Sequence, residues 1–193
     1  KMVAIQVASP FIVPFKLSAY CALFIGIPFL LHQLWGFIAP GLYRHEKKFA
    51  YPLLFSSVVL FYCGISFAYY LVFPLVFEFF FNIAPNVAEV MPDITYYLDF
   101  IMKMFLAFGL AFEIPVATFL LAWTGISTAD KMARKRPYVI IGCFIVGMLM
   151  TPPDVVSQLL LAIPSWLLFE FGVIMARFVE KKDAEEEADK PSL

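Results

Sequence analysis

The sequence has few of the side chains that enzymes and metal sites depend on. Only two histidines and three cysteines occur among its 193 residues. Each cysteine lies inside an apolar run, and no cysteine or histidine pair has the spacing of a metal site. No Ser/His/Asp set, GxSxG motif or phosphate-binding loop is present. The sequence therefore predicts a protein that is not an enzyme, with no metal site, no cofactor and no disulfide.

Charge is also scarce. Charged residues make up 15% of the chain and hydrophobic residues 62%, whereas soluble domains have about 25% and about 45–50%. A water-soluble fold of this size could not bury so much apolar surface, so the composition indicates that a lipid bilayer is the solvent. The net charge of −1 gives no indication of nucleic-acid binding.

The apolar residues fall into five runs, which predicts an all-α, polytopic transmembrane protein. The predicted spans are about 15–38, 51–77, 97–124, 138–150 and 155–175. Residues 1–14 contain two prolines and are expected to form a non-helical or briefly helical lead-in. Residues 1–176 are expected to form one transmembrane domain, and residues 177–193 a charged, partly disordered tail.

The fourth predicted span is unusually short. As a helix it would extend only ~20 Å, against a hydrocarbon core of ~30 Å. Because a short span is accommodated by snorkelling or by a thinner bilayer, we hypothesise local thinning beside the fourth and fifth spans.

Lysine and arginine are distributed unevenly along the chain. The loop around Arg44, the loop around Arg134 and the tail carry eleven of the fourteen. The positive-inside rule then predicts that both loops and the C-terminus are cytoplasmic. Five spans place the start of the chain outside, which suggests a further helix upstream.

Glu113 is the most informative single residue of the third span. It lies ~21 Å from Asp99 and ~18 Å from Gly125 along a helix, and so near the middle of the bilayer. A carboxylate at that depth is costly unless it is protonated, paired or hydrated. Two readings stay open: a protonated side chain bonded to a neighbouring helix, or a polar contact for a substrate or partner.

Other polar residues near the span ends have simpler explanations. Asp99 and Lys103 are spaced i,i+4, which predicts an ordinary helix pair on a solvated face. Asp154 follows two prolines and can cap the next helix. Thr151 and Gln158 flank that turn, where they could form a polar patch that bonds to the helix of another protein.

Several motifs, in order along the chain, resemble the TatC family, the multispanning subunit of the twin-arginine protein translocase. They are VASPF (7–11), WGFIAPGLYRHEKK (35–48), FAYYLVFP (67–74), AFGLAFEIPVA (107–117), RKRPYVIIG (134–142), GMLMTPPDVVSQLLLAIP (147–164) and LFEFGV (168–173). The resemblance implies a fold of six helices, of which five are present here, in a bacterial inner membrane. No part of this sequence matches the N-terminal cytoplasmic segment and first helix of the family.

The resemblance also implies a function and a set of sites. The protein would be the receptor that binds twin-arginine signal peptides of folded precursors, for export driven by the proton motive force. Signal-peptide binding would map to Phe37, Tyr43, Arg44, Glu46 and Lys48, and the intramembrane carboxylate to Glu113. The periplasmic side and the contact with partner helices would map to Phe11, Met148, Thr151, Asp154 and Gln158.

The expected partners are the single-span subunits TatA and TatB, further copies of the chain itself, and the precursors. One alternative stays open, a secondary transporter that uses Glu113 as a proton or substrate site, although the sequence shows none of the internal repeats common in such folds.

Overall fold

The protein was analysed as a computed structural model, which describes residues 9–38, 47–83, 93–151 and 155–188. These ranges form α-helices joined by short turns, so the all-α prediction is confirmed. The helices are α1 (Ser9–Ile38), α2 (Lys47–Phe67), α3 (Phe73–Ile83), α4 (Ile94–Phe112), α5 (Ile114–Trp123), α6 (Ala129–Arg134), α7 (Arg136–Met150) and α8 (Val155–Ala188). A π-helical turn, Ala68–Val72, joins α2 to α3.

Four stretches of these helices are long and apolar enough to cross a membrane. They are Pro10–Leu34, Pro52–Phe80, Ile94–Trp123 and Val155–Lys181. α7 is also apolar but has only 15 residues, which corresponds to ~22 Å. The structure thus confirms five apolar helices, the fourth of them too short to match a typical bilayer.

The first helix begins earlier than the sequence analysis predicted. α1 starts at Ser9, within the segment expected to be a lead-in, and includes both Pro14 and Pro28. Pro10 stands in its first turn, where a missing N–H costs nothing because the first amides of a helix have no intrahelical acceptor. The hydroxyl of Ser18 donates to the carbonyl of Pro14 (2.9 Å).

The last helix also extends beyond its predicted end. α8 continues to Ala188, so the first part of the charged tail is helical, while residues 189–193 lie outside the described part. The start of α6 packs against this extension. Glu180 Oε1 accepts a hydrogen bond from the amide of Ala129 (2.7 Å), and Arg177 lies 3.7 Å from Asp130. These contacts hold the α5–α7 connection against the end of α8.

Small residues allow two pairs of helices to pack closely. A Cβ at Gly172 of α8 would overlap the hydroxyl of Thr118 and lie 3.0 Å from the Cα of Pro115 on α5. A Cβ at Gly64 of α2 would overlap the carbonyl of Phe108 on α4. Close approach at small residues is how membrane helices gain packing contacts. Among the described helices, the α5–α8 and α2–α4 pairs have the most extensive contacts.

A long-range ion pair links α1 to α4. Lys16 Nζ lies 2.9 and 2.8 Å from the two carboxylate oxygens of Asp99. The predicted pairing of Asp99 with Lys103 is therefore wrong. Helical spacing brings Lys103 within reach, but α1 packs beside α4 and presents a cation to both carboxylate oxygens at once.

Candidate functional site

Glu113 lies where α4 ends and α5 begins within the third membrane-spanning segment. It is both the C-cap of α4 and the N-cap of α5, with φ −77° and ψ −15°. Pro115 follows in the first turn of α5. Proline has no N–H and crowds the preceding turn, which weakens the helix at this point. The amide of Glu113 bonds instead to the carbonyl of Leu110 (3.1 Å), three residues back.

The Glu113 side chain turns towards α2, where it meets a buried serine. The hydroxyl of Ser57, which is only 1% exposed, donates a hydrogen bond to Glu113 Oε2. The other oxygen, Oε1, is buried and has no hydrogen-bond partner among the described residues. One oxygen is thus bonded to the neighbouring helix, while the second is buried without a donor among the described residues.

Glu113 lies deep within its membrane-spanning segment, where a carboxylate oxygen without a partner is unfavourable. Glu113 lies ten residues, or ~15 Å, from Trp123 at the end of the segment, about half the thickness of a ~30 Å core. Intramembrane carboxylates are costly and usually face a protein interior or a functional contact. That Glu113 contacts a polar group of a substrate or partner stays a prediction.

A second polar arrangement joins α7 to α8. The hydroxyl of Thr151 donates to the carbonyl of Gly147 (2.8 Å). From α8, Gln158 Nε2 donates to the carbonyl of Phe144 (3.0 Å) and its side chain packs on Gly147. Thr151 and Gln158 are therefore both bonded to the end of α7, and their predicted contact with the helix of another protein stays a prediction. The Thr151 hydroxyl and one of the two Gln158 amide hydrogens are thus used within the α7–α8 hairpin.

The other predicted residues of this region differ in exposure. Met148, on the same turn of α7, is 60% exposed, and Phe11, near the start of α1, is 81% exposed. Both present apolar surface beyond the helix bundle. Asp154 lies outside the described residues, so its predicted capping of α8 stays a prediction.

The predicted signal-peptide site falls in the first loop. Tyr43, Arg44 and Glu46 lie outside the described residues. Phe37 belongs to the last turn of α1 and Lys48 to the first turn of α2, and their side chains are likewise outside the description. In the sequence α1 ends before this loop and α2 begins after it, and the assignment of its residues stays a prediction.

Two polar contacts were missed by the sequence analysis. Ser57 gives no distinguishing signal, because single serines are common in apolar helices. Arg136 forms a two-pronged ion pair with Glu170 of α8, with Nε–Oε1 and Nη2–Oε2 distances of 2.6 and 2.7 Å. A glutamate inside an apolar run was a usable signal that a basic partner must approach it. The pair fixes the start of α7 to α8.

Comparison with known proteins agrees with this architecture. The family model for the Sec-independent protein translocase protein (TatC) matches residues 1–164. The TatC protein of Haemophilus influenzae is 57% identical over 184 residues, which cover 95% of this chain and 72% of that protein. The TatC protein of Escherichia coli K12 is 54% identical over 177 residues, which cover 92% and 69%.

Comparison with solved structures shows the same fold. The crystal structure described as the twin-arginine translocase receptor TatC superposes with a TM-score of 0.85 and 34% sequence identity. The superposition covers 93% of this chain and 79% of that one. The break at Glu113, the short α7 and the close α5–α8 packing thus belong to a multi-pass membrane protein without enzymatic activity, and the chain is a member of the TatC family of bacterial Sec-independent protein translocases.

Proposed function

We propose that this chain is the precursor receptor of a twin-arginine translocase, and that it binds paired-arginine signal peptides with its first loop. The observation that carries the proposal is the superposition on a structure described as the twin-arginine translocase receptor. The matches reported above are to translocase proteins, which gives no support to the secondary-transporter alternative. Glu113 is then a contact inside a protein-conducting assembly.

Glu46 is the proposed reader of the paired arginines. A carboxylate held at a fixed position can accept two parallel hydrogen bonds from a guanidinium group, and a lysine ammonium cannot reproduce that geometry. Arg44 and Lys48 would orient Glu46 and repel basic peptides that lack the motif. Phe37 and Tyr43 would supply the apolar contacts beside it.

Site-specific crosslinking tests this role. A photoreactive amino acid at position 45, next to Glu46, is combined with a twin-arginine or a twin-lysine signal peptide in native membranes. We expect crosslinks to the twin-arginine peptide that are lost with Glu46→Ala and with the twin-lysine peptide. The matched control is Glu78→Ala, an exposed glutamate on α3. Equal crosslinking in all samples would mean that the loop only sets the topology.

The exposed edge of the α7–α8 hairpin is the proposed contact for the single-span partners TatA and TatB. Gln158 and Thr151 hold this turn of α7 in shape through their bonds to Phe144 and Gly147. Met148 then presents apolar surface on which a partner helix can pack. Asp154 and Phe11 would complete the contact on the periplasmic side.

Disulfide crosslinking tests the partner site. A cysteine at Met148 is expected to crosslink to cysteines in the transmembrane helix of TatB or TatA. A cysteine at Tyr70, which is 76% exposed on the π-helical turn, serves as the control. Equal crosslinking at both positions, or none at Met148, would contradict this site.

The proposed orientation puts both basic loops and the tail, residues 177–193, in the cytoplasm, with residues 1–176 as the membrane domain of an inner-membrane protein. Further copies of the chain would join it in the receptor complex. In a background without native cysteines, a cysteine at Phe11 should react with an impermeant reagent from outside the cell. A cysteine at Lys131 should react only after the membrane is opened, and the reverse pattern would refute the orientation.

A further inference from the structure

A groove of about 500 Å³ lies between the α4–α5 break, α7 and α8. Small residues form its floor, among them Ala107, Ala111 and Gly142. Its lining is otherwise apolar, apart from the thiol of Cys143 and one hydroxyl. That hydroxyl, on Ser165, donates to the carbonyl of Leu161 (2.7 Å) and so does not call for a polar ligand.

The groove opens towards the surroundings of the protein. Leu110 of α4 and Val146 of α7 line it and are 51% and 47% exposed. In a membrane protein these surroundings are hydrocarbon, because water is absent at this depth. An empty space of this size would lose dispersion contacts along all of its walls. An apolar molecule must therefore fill it.

The dimensions of the groove decide which molecule fits. Its lining on α7 runs from Val139 to Met150, eleven residues or ~16 Å, about half of a ~30 Å hydrocarbon core. An α-helix of that length and about 10 Å diameter would fill roughly 1,200 Å³, more than twice the volume available. A single acyl chain of that length lies within the groove, whereas a partner helix would lie mostly outside it, across its open side.

Charge marks one end of the groove. Val139 lies one turn after the start of α7, and the short helix α6 directly precedes that start. Lys131, Arg134 and Lys135 are exposed there, and none forms an ion pair with another described residue. The nearby Arg136 is already paired with Glu170. Free cations thus lie at the depth where the head group of a lipid in the groove would be.

We propose that this groove is a binding site for an anionic phospholipid, with one acyl chain along α7 and the phosphate beside the cations of α6. The ligand class follows from the match in length, the apolar lining and the charge at one end. The lipid would occupy the space between α7 and the α4–α5 break, and so make contact with both. This inference does not depend on the proposed receptor function.

Native mass spectrometry of the purified chain tests the site. The protein is incubated with an equimolar mixture of phosphatidylglycerol and phosphatidylethanolamine. We expect one tightly retained lipid and at least about a fivefold preference for phosphatidylglycerol, the factor that one surface cation contributes. Absence of a retained lipid, or equal retention of both lipids, would overturn the proposal.

Two matched pairs of variants locate the lipid. Gly142→Leu fills the groove, whereas Gly26→Leu places the same side chain on α1; a Cβ at either glycine meets nothing within 4 Å. Retention should fall at least tenfold only in Gly142→Leu. The double change Arg134→Gln/Lys135→Gln should abolish the preference for phosphatidylglycerol, and Lys103→Gln, an exposed cation on α4, should not.

The opposite results have a clear meaning. Equal loss in Gly142→Leu and Gly26→Leu would show that the lipid binds elsewhere. An unchanged preference in the double variant would refute the role of α6. Crosslinking of Cys143 to the helix of a protein partner in native membranes, with no lipid retained, would assign the groove to that partner and overturn the proposal. Because Gly142→Leu is expected to fold, its unfolding profile should match that of the control.

Discussion

Replacement of Ser57 by alanine removes the hydrogen bond that fixes the Glu113 carboxyl group. The Ser57 side chain is buried, and its hydroxyl donates to Glu113 Oε2, while Oε1 has no partner among the described residues. After Ser57→Ala, neither oxygen of this buried group would have one of the described donors. Most of the free-energy cost of burying the Glu113 carboxyl group would then be uncompensated.

The expected loss of stability can be estimated from two limits. Hydrogen bonds between membrane helices contribute ~0.6 kcal/mol on average and up to ~1.7 kcal/mol. A buried polar group left without a partner costs about 1–3 kcal/mol. We expect Ser57→Ala to lower the free energy of unfolding by about 1–2 kcal/mol, a factor of about 5–30 in the folded-to-unfolded ratio.

Reversible unfolding in mixed micelles measures this change. Ser56→Ala is the matched control, because the hydroxyl of Ser56 bonds only to its own helix, at the carbonyl of Leu53 (2.8 Å). We expect that control to cost less than about 0.5 kcal/mol. In a Glu113→Leu background, Ser57→Ala should hardly change the free energy of unfolding, because the carboxyl group that accepts the hydrogen bond of Ser57 is absent.

Two results would refute this reasoning. Equal destabilisation by Ser57→Ala and Ser56→Ala would show that the bond to Glu113 contributes nothing measurable. An unchanged cost of Ser57→Ala in the Glu113→Leu background would assign the effect to packing of the serine itself. Ser57→Thr keeps a hydroxyl and should retain part of the coupling to Glu113.

Three further predictions follow from the packing. Gly172→Ala should destabilise the protein by about 1–3 kcal/mol because its Cβ meets α5, whereas Gly142→Ala should be close to neutral; thermal unfolding in detergent would compare them. Asp99→Asn should lower the free energy of unfolding by about 0.5–1 kcal/mol in the same assay. A double variant that exchanges Lys16 and Asp99 should restore most of that stability, and Lys103→Gln should have no effect. If the bilayer is thinner beside α7, spin labels at both ends of this helix should lie at the depth of the membrane interface, whereas labels equally far apart on α4 should not. A bilayer of bulk thickness beside α7 would refute local thinning.

Much of the fold could be predicted from the sequence because the bilayer imposes strong constraints on it. Apolar runs in lipid must become helices, since every backbone polar group needs an internal partner. This fixed the all-α class, the five apolar helices and the short α7. The depth of Glu113 in its apolar run also marked the important position of the third span. Local signals at the ends were weaker, so α1 begins earlier and α8 ends later than predicted.

Family membership was likewise predictable, because the motifs around Glu46, Glu113 and Thr151 occur in order along the chain. The comparisons confirm the family. They leave the roles of individual residues as proposals, since a match to a family does not measure which side chain binds a peptide or a partner.

Contacts between helices were decided only by the tertiary structure. Spacing along one helix favoured Lys103 as the partner of Asp99, yet Lys16, 83 residues away in sequence, binds it. Gln158 was considered only as a donor to another protein, yet it also donates a hydrogen bond to a carbonyl of α7. Sequence periodicity describes the neighbours within a helix, whereas the donors that reach a buried group depend on which helices pack side by side. For that reason the sequence determined that Glu113 needs a partner, and only the packing of α2 against α4 determined that the partner is Ser57.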